Sequence, residues 1–414
     1  MNLPTSRRTR AGARRAAIVS RLFAPESGAA ATRLKWLARA FVDVGYTVRV
    51  LTSVPQPGSA SPDDPAGVSV SRWPVLRDRN GIVRGYVQYL SFDVPLLLRL
   101  LLGPRPDVVV CEPPPTTGLV VRLVCSARRV PYVYYAADVW SDGTASAGAP
   151  GVVVRLITLV ESWVLRGSRL VLSVSPAVTE RLLRLGVEPA KVQLVGNGVD
   201  VEVFRPAESA RAEVAAAVPG AGRVERPPLD VPYAVYAGTM SEWQGADVFV
   251  RAFALARERL PADARLVYLG QGSDRPTVER LASELAPDQV DVLGVVPPVE
   301  AASWLRHAVC ALVSIVPDQG YDFARPTKVW AASASGTPVV FAGRGVAAQE
   351  VADAGLGLAV DHDVAAVGEA LVQAFSDQPS TEERRRLVAW TRQHASLATV
   401  AASAVGAIRV ACDQ

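Results

Sequence analysis

Short apolar runs, many of them rich in valine, recur along the chain and alternate with stretches of helical spacing. In the first half these runs are residues 16–20, 47–51, 107–111, 132–135, 170–174 and 192–195. In the second half they are residues 233–237, 266–269, 290–293, 310–315, 338–341 and 357–360. Runs this short and this continuously apolar suit strands buried on both faces. Between most of them lie segments such as 31–44, 177–185 and 246–259, whose apolar residues follow helical spacing. Strand, helix and strand in repetition predict an α/β protein with parallel sheets.

With 414 residues the chain exceeds one ordinary hydrophobic core. Two doubly wound, Rossmann-like domains facing a cleft are expected. Residues 204–232 carry no strand signal and are punctuated by Pro206, Pro219, Pro227, Pro228 and Pro232. The expected organisation is a disordered basic tail (1–15), an N-terminal domain (16–205) and a linker (206–232) with one short helix at 210–218. A C-terminal domain (233–380) follows, then helices over 381–414 that cross back to the N-terminal domain.

Charge changes this picture little. The net charge is +4, and Arg7, Arg8, Arg10, Arg14 and Arg15 crowd the first fifteen residues without an acid. The remainder is near neutral and lacks the basic face of a nucleic-acid binder. A solvated tail is preferred over contact with lipid or RNA. No secretory h-region and no run of about twenty apolar residues occurs. Segment 94–102 fits a membrane-surface helix or a helix packed on a sheet, and burial is favoured because Arg99 alone makes a poor cationic face. Cys111, Cys125, Cys310 and Cys412 show no metal-ligand spacing, and Cys111 and Cys310 sit in apolar runs. That usage fits a reducing cytoplasm. His307, His362 and His394 are scattered, which leaves little for a zinc site or a Ser-His-Asp triad.

Ligands of open α/β sheets bind beyond the carboxyl ends of the strands. After the first strand comes Phe23-Ala-Pro-Glu-Ser-Gly-Ala29, where Ser27 and Gly28 precede a helix. The second half repeats the arrangement in Gly238-Thr-Met-Ser-Glu-Trp-Gln-Gly245, and its next strand ends in Leu269-Gly-Gln-Gly272. Such turns either cradle a phosphate or merely fit a tight turn. Neither Gly-x-Gly-x-x-Gly at a domain start nor a Walker motif is present, which counts against dehydrogenase and P-loop readings. The strongest constellation runs from Phe323 through Arg325-Pro-Thr-Lys328 to Gly336-Thr-Pro338. Arg325 and Lys328 fall at a predicted helix N-terminus, where a cation is unfavourable unless an anion joins it. Glu350 lies in the next strand-to-helix turn, suited to ribose hydroxyls or to a plain helix start.

Taken together these pieces resemble the family 4 retaining glycosyltransferases of GT-B architecture, and most closely the bacterial surface-polysaccharide subgroup. The resemblance also rests on Pro106-Asp-Val-Val-Val-Cys-Glu-Pro-Pro114, Tyr135-Ala-Ala-Asp-Val-Trp140, Val174-Ser-Pro176 and Val195-Gly-Asn-Gly-Val-Asp200. It implies a nucleotide-sugar donor held by the second domain and a saccharide, lipid-linked or small-molecule acceptor held by the first. Arg325 and Lys328 match diphosphate positions, Glu350 the ribose acid, and Gly270 and Gly272 the base-packing turn. Gly238, Thr239, Gln244, Asp322 and Thr327 complete the donor side, while Gly28, Ser27 and Asp138 serve the reacting sugar and acceptor. Asp138, Lys328 and Arg325 are the expected catalytic residues. No cofactor and no metal are expected, nor is nucleic acid a partner. The expected location is the cytoplasm, with peripheral contact at the inner membrane surface left open.

Two positions where many relatives carry glutamate read Phe323 and Ala331 here, with Asp322 adjacent to the first. That departure keeps two alternatives in view: a nonhydrolysing sugar-nucleotide epimerase, and a catalytically silent partner of another transferase.

Overall fold

The computed structural model describes residues 13–26, 28–56, 64–78, 83, 85–146, 149–206 and 231–413. The tail residues 1–12, the position of Ser27, and residues 207–230, including the helix expected at 210–218, lie outside the described residues. The chain folds into two compact units: residues 1–196 with 400–414, and residues 197–399.

The first unit is a seven-stranded parallel sheet with helices on both faces. Its strands are β1 (Arg15–Val19), β2 (Thr47–Ser53), β3 (Val68–Trp73), β4 (Val108–Cys111), β5 (Tyr132–Ala136), β6 (Leu170–Ser173) and β7 (Val192–Leu194). Its helices are α1 (Ala29–Asp43), α2 (Tyr86–Leu102), α3 (Pro115–Arg128), α4 (Trp140–Ser146), α5 (Gly151–Gly167) and α6 (Pro176–Arg184). The spatial order is β3-β2-β1-β4-β5-β6-β7. Strands β4, β5 and β6 are buried at every position, which explains their unbroken apolar sequences. One core joins Ile18, Val48 and Val110 with Leu34, Leu37 and Phe41 of α1. Ala401, Ala404, Val405 and Ile408 of the last helix pack into the same core. Each fully buried Leu, Val or Phe of this kind contributes about 1.5–3 kcal/mol.

The second unit holds β8 (Tyr233–Ala237), β9 (Arg265–Leu269), β10 (Val290–Leu293), β11 (Cys310–Ser314), β12 (Val339–Ala342) and β13 (Gly357–Val360). They form a parallel sheet in the order β10-β9-β8-β11-β12-β13. Helices α7 (Asp247–Ala256), α8 (Arg275–Leu285), α9 (Pro298–His307), α10 (Thr327–Ala334), α11 (Val346–Asp353), α12 (Val364–Ser376) and α13 (Thr381–His394) surround it, and α14 (Leu397–Asp413) follows.

Strand β3 is absent from the apolar runs. Its sequence, Val-Ser-Val-Ser-Arg-Trp, alternates because it closes one edge of the sheet and is nowhere fully buried. Segment 94–102 belongs to α2, whose Phe92, Leu96 and Leu100 are buried against the sheet. Burial is therefore correct for that stripe, but the opposite stripe of the same helix is exposed. None of the described helices is long and apolar enough to cross a membrane.

Both sheets reverse their order at one point, between β1 and β4 and between β8 and β11. In open α/β sheets the crevice at that reversal is where ligands bind. The loops after β1, β8 and β11 carry Gly28, Gly238, Thr239, Gln244, Asp322 and Arg325, while Gly270 and Gly272 follow β9 and Asp138 follows β5.

Candidate functional site

In the second unit, the turns after β8 and β9 are packed so closely that side chains are excluded. A Cβ on Gly270 would lie 2.1 Å from the Gly238 carbonyl oxygen, and its φ of +136° favours glycine on its own account. A Cβ on Gly238 would lie 2.5 Å from Cε of Lys328. Gly272 backs onto Met240 in the same way, with 2.0 Å to its carbonyl oxygen. Four sequence-predicted residues, Gly238, Gly270, Gly272 and Lys328, thus meet in one place.

Gln244 joins them as a brace. It is 4% exposed, and its Oε1 accepts from the Ser241 N–H at 3.0 Å and the Thr239 hydroxyl at 3.2 Å. The side chain holds the loop in shape and has no capacity left on that oxygen for a ligand.

Lys328 is the second residue of α10. Its Nζ donates to the Tyr236 hydroxyl at 2.6 Å and to the Thr239 carbonyl at 2.8 Å. The Tyr236 ring centroid is 4.1 Å away. Burial pushes the ammonium down to about 7, because removing water penalises the charged form. Tyr236 is itself pushed up, chiefly by burial. The arrangement is a cation held ready by neutral partners, and an anion would restore its full charge.

Helix α10 begins after Pro326, with no side-chain cap and no acid in its first turn. Helix α11 begins after Gly345 in the same state. By contrast α12 is capped by Asp363 and α13 by a Ser380–Glu383 capping box. The uncapped termini leave backbone N–H groups and the positive helix end available to an anion. Thr327 opens α10 and is exposed. Asp322 contributes through its backbone: its carbonyl accepts from the Val346 N–H at 3.0 Å.

Arg325 and Glu350 meet each other. Arg325 Nε lies 3.4 Å from Glu350 Oε2, and Trp330 Nε1 donates to Oε1 at 3.3 Å. Both side chains line a surface cavity of about 820 Å³ with Gln349, Asp353, Trp390 and His394. Trp390 and His394 stack there with ring centroids 4.8 Å apart. Lys328 and the glycine turns do not line this cavity, so the candidate residues form two neighbouring groups along the chain. Ala331 is buried on α10 among Val329, Trp330 and Ala332. Phe323 is 52% exposed.

In the first unit, Gly28 caps α1 with its backbone alone, and the first turn has no acid. Asp138 follows β5 and is exposed. Beneath it lies a pair that the sequence did not reveal. Arg33 of α1 donates to Glu112, which follows β4, through Nε at 3.0 Å and also through Nη2. Both side chains are at most 7% exposed. The Arg33 guanidinium is 5.0 Å from the Tyr135 ring centroid. Burial pushes the Glu112 carboxyl up, Arg33 opposes that, and the Asp138 charge adds to the upward push. The signal available in sequence was a cation on the inner face of α1, beside Leu34.

Among the described residues, no group of three or more His, Cys, Asp or Glu side chains is placed to hold a metal ion.

Comparison with known proteins follows these two units. Residues 28–198 match the family model described as glycosyl transferase 4-like domain, and residues 231–377 match glycosyl transferases group 1. The chain is 34% identical over 220 residues to a D-inositol 3-phosphate glycosyltransferase of Xylanimonas cellulosilytica, covering 51% of this chain and 49% of that one. It is 30% identical over 296 residues to the protein of the same description from Salinispora arenicola, covering 67% and 62%. The matches therefore span about half to six-tenths of these relatives' own lengths. Among solved structures, Anabaena HepE in complex with UDP-glucose superposes with a TM-score of 0.64 at 14% identity, over 96% of this chain and 99% of that one. Sucrose-phosphate synthase from Thermosynechococcus elongatus superposes at 0.67 and 16%, over 96% and 98%. Likeness at this identity speaks for the fold.

Proposed function

Because the chain belongs to the glycosyltransferases of family 4 with GT-B architecture, we propose that it moves a sugar from a nucleoside diphosphate sugar to a hydroxyl acceptor. The observation that carries this reading is Lys328, held at the uncapped start of α10 against the Gly238–Thr239 turn. A diphosphate there would receive one ammonium and several backbone N–H groups. UDP is the preferred nucleotide; the complexes of HepE with UDP and with UDP-glucose support that choice.

The acceptor is a saccharide, free or lipid-linked, or a small polyol, bound by the first unit beside Gly28 and Asp138. Asp138 orients a hydroxyl, and Arg33 with Glu112 fixes the floor beneath it. We read the transfer as metal-independent and retaining. As the bond from the anomeric carbon to the diphosphate oxygen breaks, negative charge grows on the leaving group. Lys328 and the α10 terminus stabilise it. The acceptor oxygen bonds to the anomeric carbon on the same face, and its proton passes to the departing phosphate oxygen. Arg325 adds a second cation once it exchanges Glu350 for the phosphate, while Glu350 turns to the ribose. Four free cysteines, three of them buried, fit the reducing cytoplasm in which we place the reaction.

The test is a panel of UDP-, GDP- and dTDP-sugars scored by thermal shift, followed by acceptor screening with the nucleotide that binds. A rise in midpoint with one nucleotide, then release of that nucleoside diphosphate on adding acceptor, is the expected result. No shift with any nucleotide sugar would remove the reading. Conversion of the sugar nucleotide without acceptor would replace it with an epimerase.

A further inference from the structure

The outer surface of the α2–α3–α5 layer in the first unit is apolar where a surface helix is normally polar. Every exposed residue of α2 from Val87 to Leu102 is valine or leucine. Leu90, Val94, Leu98 and Leu101 recur at three- and four-residue spacing and form one stripe, opposite the buried Phe92, Leu96 and Leu100. Val94 is 62% exposed. Helix α5 repeats the pattern: Leu156, Leu159 and Trp163 are 61%, 68% and 41% exposed. Helix α3 packs beside both α2 and α5. A contiguous apolar face of this extent marks an interaction surface.

Charge indicates what covers it. The three helices contain two acids, and both are turned inward. Asp93 is 2% exposed and accepts from the Thr117 hydroxyl at 2.6 Å. Glu161 is 1% exposed and accepts from the N–H groups of Trp140 and Ser141 at 2.8 and 2.9 Å. The charges of these helices that reach solvent are all arginines. Arg155 and Arg166 are exposed along α5, and the Arg122 guanidinium stacks 3.7 Å from the Trp163 ring centroid. Leucine and tryptophan bordered by arginine, with no solvent-facing acid on these three helices, match the boundary between the acyl and headgroup layers of an anionic bilayer. A second copy of the chain fits less well, since a two-fold contact would bring these arginines against each other.

We infer that the α2–α3–α5 face of the first unit docks on an anionic lipid surface. Vesicle binding needs no donor or turnover, so this inference stands or falls apart from the transferase reading.

The experiment is flotation of the full chain with vesicles of phosphatidylcholine and phosphatidylglycerol (70:30), against pure phosphatidylcholine. The expected result is at least about tenfold stronger partition onto the anionic vesicles, weakened by salt. Leu98→Glu with Leu159→Glu should abolish partition without moving the thermal midpoint. Arg155→Glu keeps the apolar stripe and should still lower partition severalfold. Absence of the wild type from the anionic vesicles, or equal partition of these variants, would overturn the proposal. So would a wild-type dimer that Leu98→Glu and Leu159→Glu dissolve, which would assign the face to a second copy.

Discussion

The Lys328 ammonium donates to the Tyr236 hydroxyl at 2.6 Å, and no acid is among the groups that set its charge. Burial alone brings its titration to about 7, whereas an unfolded lysine titrates near about 10.4. The unfolded chain therefore holds more protons between those two pH values. By linkage this lysine makes stability rise with pH across that window. An anionic ligand acts in the opposite sense, because it favours the charged lysine. UDP binding should take up a proton above pH 7, and affinity should fall by up to about tenfold per pH unit between pH 7 and 9. Calorimetry in buffers of different ionisation enthalpy reads both quantities. Lys328→Met should leave a nearly flat profile.

Gly270→Ala tests the close packing of the two turns. The new Cβ would fall 2.1 Å from the Gly238 oxygen at a φ of +136°. Backbone strain of this kind costs about 1–3 kcal/mol, and relief would push the Gly238 turn away from Lys328. The urea midpoint should drop, and nucleotide affinity should drop with it.

Gln244→Ala removes the acceptor for two donors, Ser241 N–H and the Thr239 hydroxyl. Both donors are part-exposed, so losing these bonds costs about 0.5–1.5 kcal/mol each. Weaker nucleotide binding with the second unit still folded is expected. Equal affinity in the two proteins would show that the brace is unnecessary.

The Arg33–Glu112 pair should behave as a buried unit. Glu112→Ala strands a buried guanidinium and should cost roughly 3–5 kcal/mol, while Arg33→Met with Glu112→Leu together should cost much less. A double-mutant cycle on urea midpoints measures the coupling. Independent, additive losses would contradict the pairing.

How much of this could be read from the sequence depended on where the physical signal lay. Strands buried on both faces, such as Val108–Cys111 and Cys310–Ser314, announce themselves as continuous apolar runs. Val68–Trp73 does not, because an edge strand half open to water keeps polar residues on alternate positions. The glycine turns were legible because strand-to-helix turns are short, local and rich in glycine, and Lys328 because it stands at the start of a helix. Tyr236 was not, since a tyrosine inside an apolar run reads as core until Lys328, 92 residues later, is seen beside it. Arg33 and Glu112 are 79 residues apart and likewise meet only in the fold. Gln244 was read as a ligand contact, and the structure gives its oxygen to the loop itself. On α2 both stripes are apolar, so hydrophobicity alone could not say which one faces the sheet.

The central claim is that Lys328 and the turns around it hold a nucleoside diphosphate. Calorimetric titration of UDP into the wild type and into Lys328→Ala tests it most directly. The account predicts one site in the wild type and a loss of roughly tenfold to a hundredfold in the variant, with the variant still unfolding in one cooperative transition. Unaltered UDP affinity in Lys328→Ala, or no UDP binding by the wild type, would contradict it.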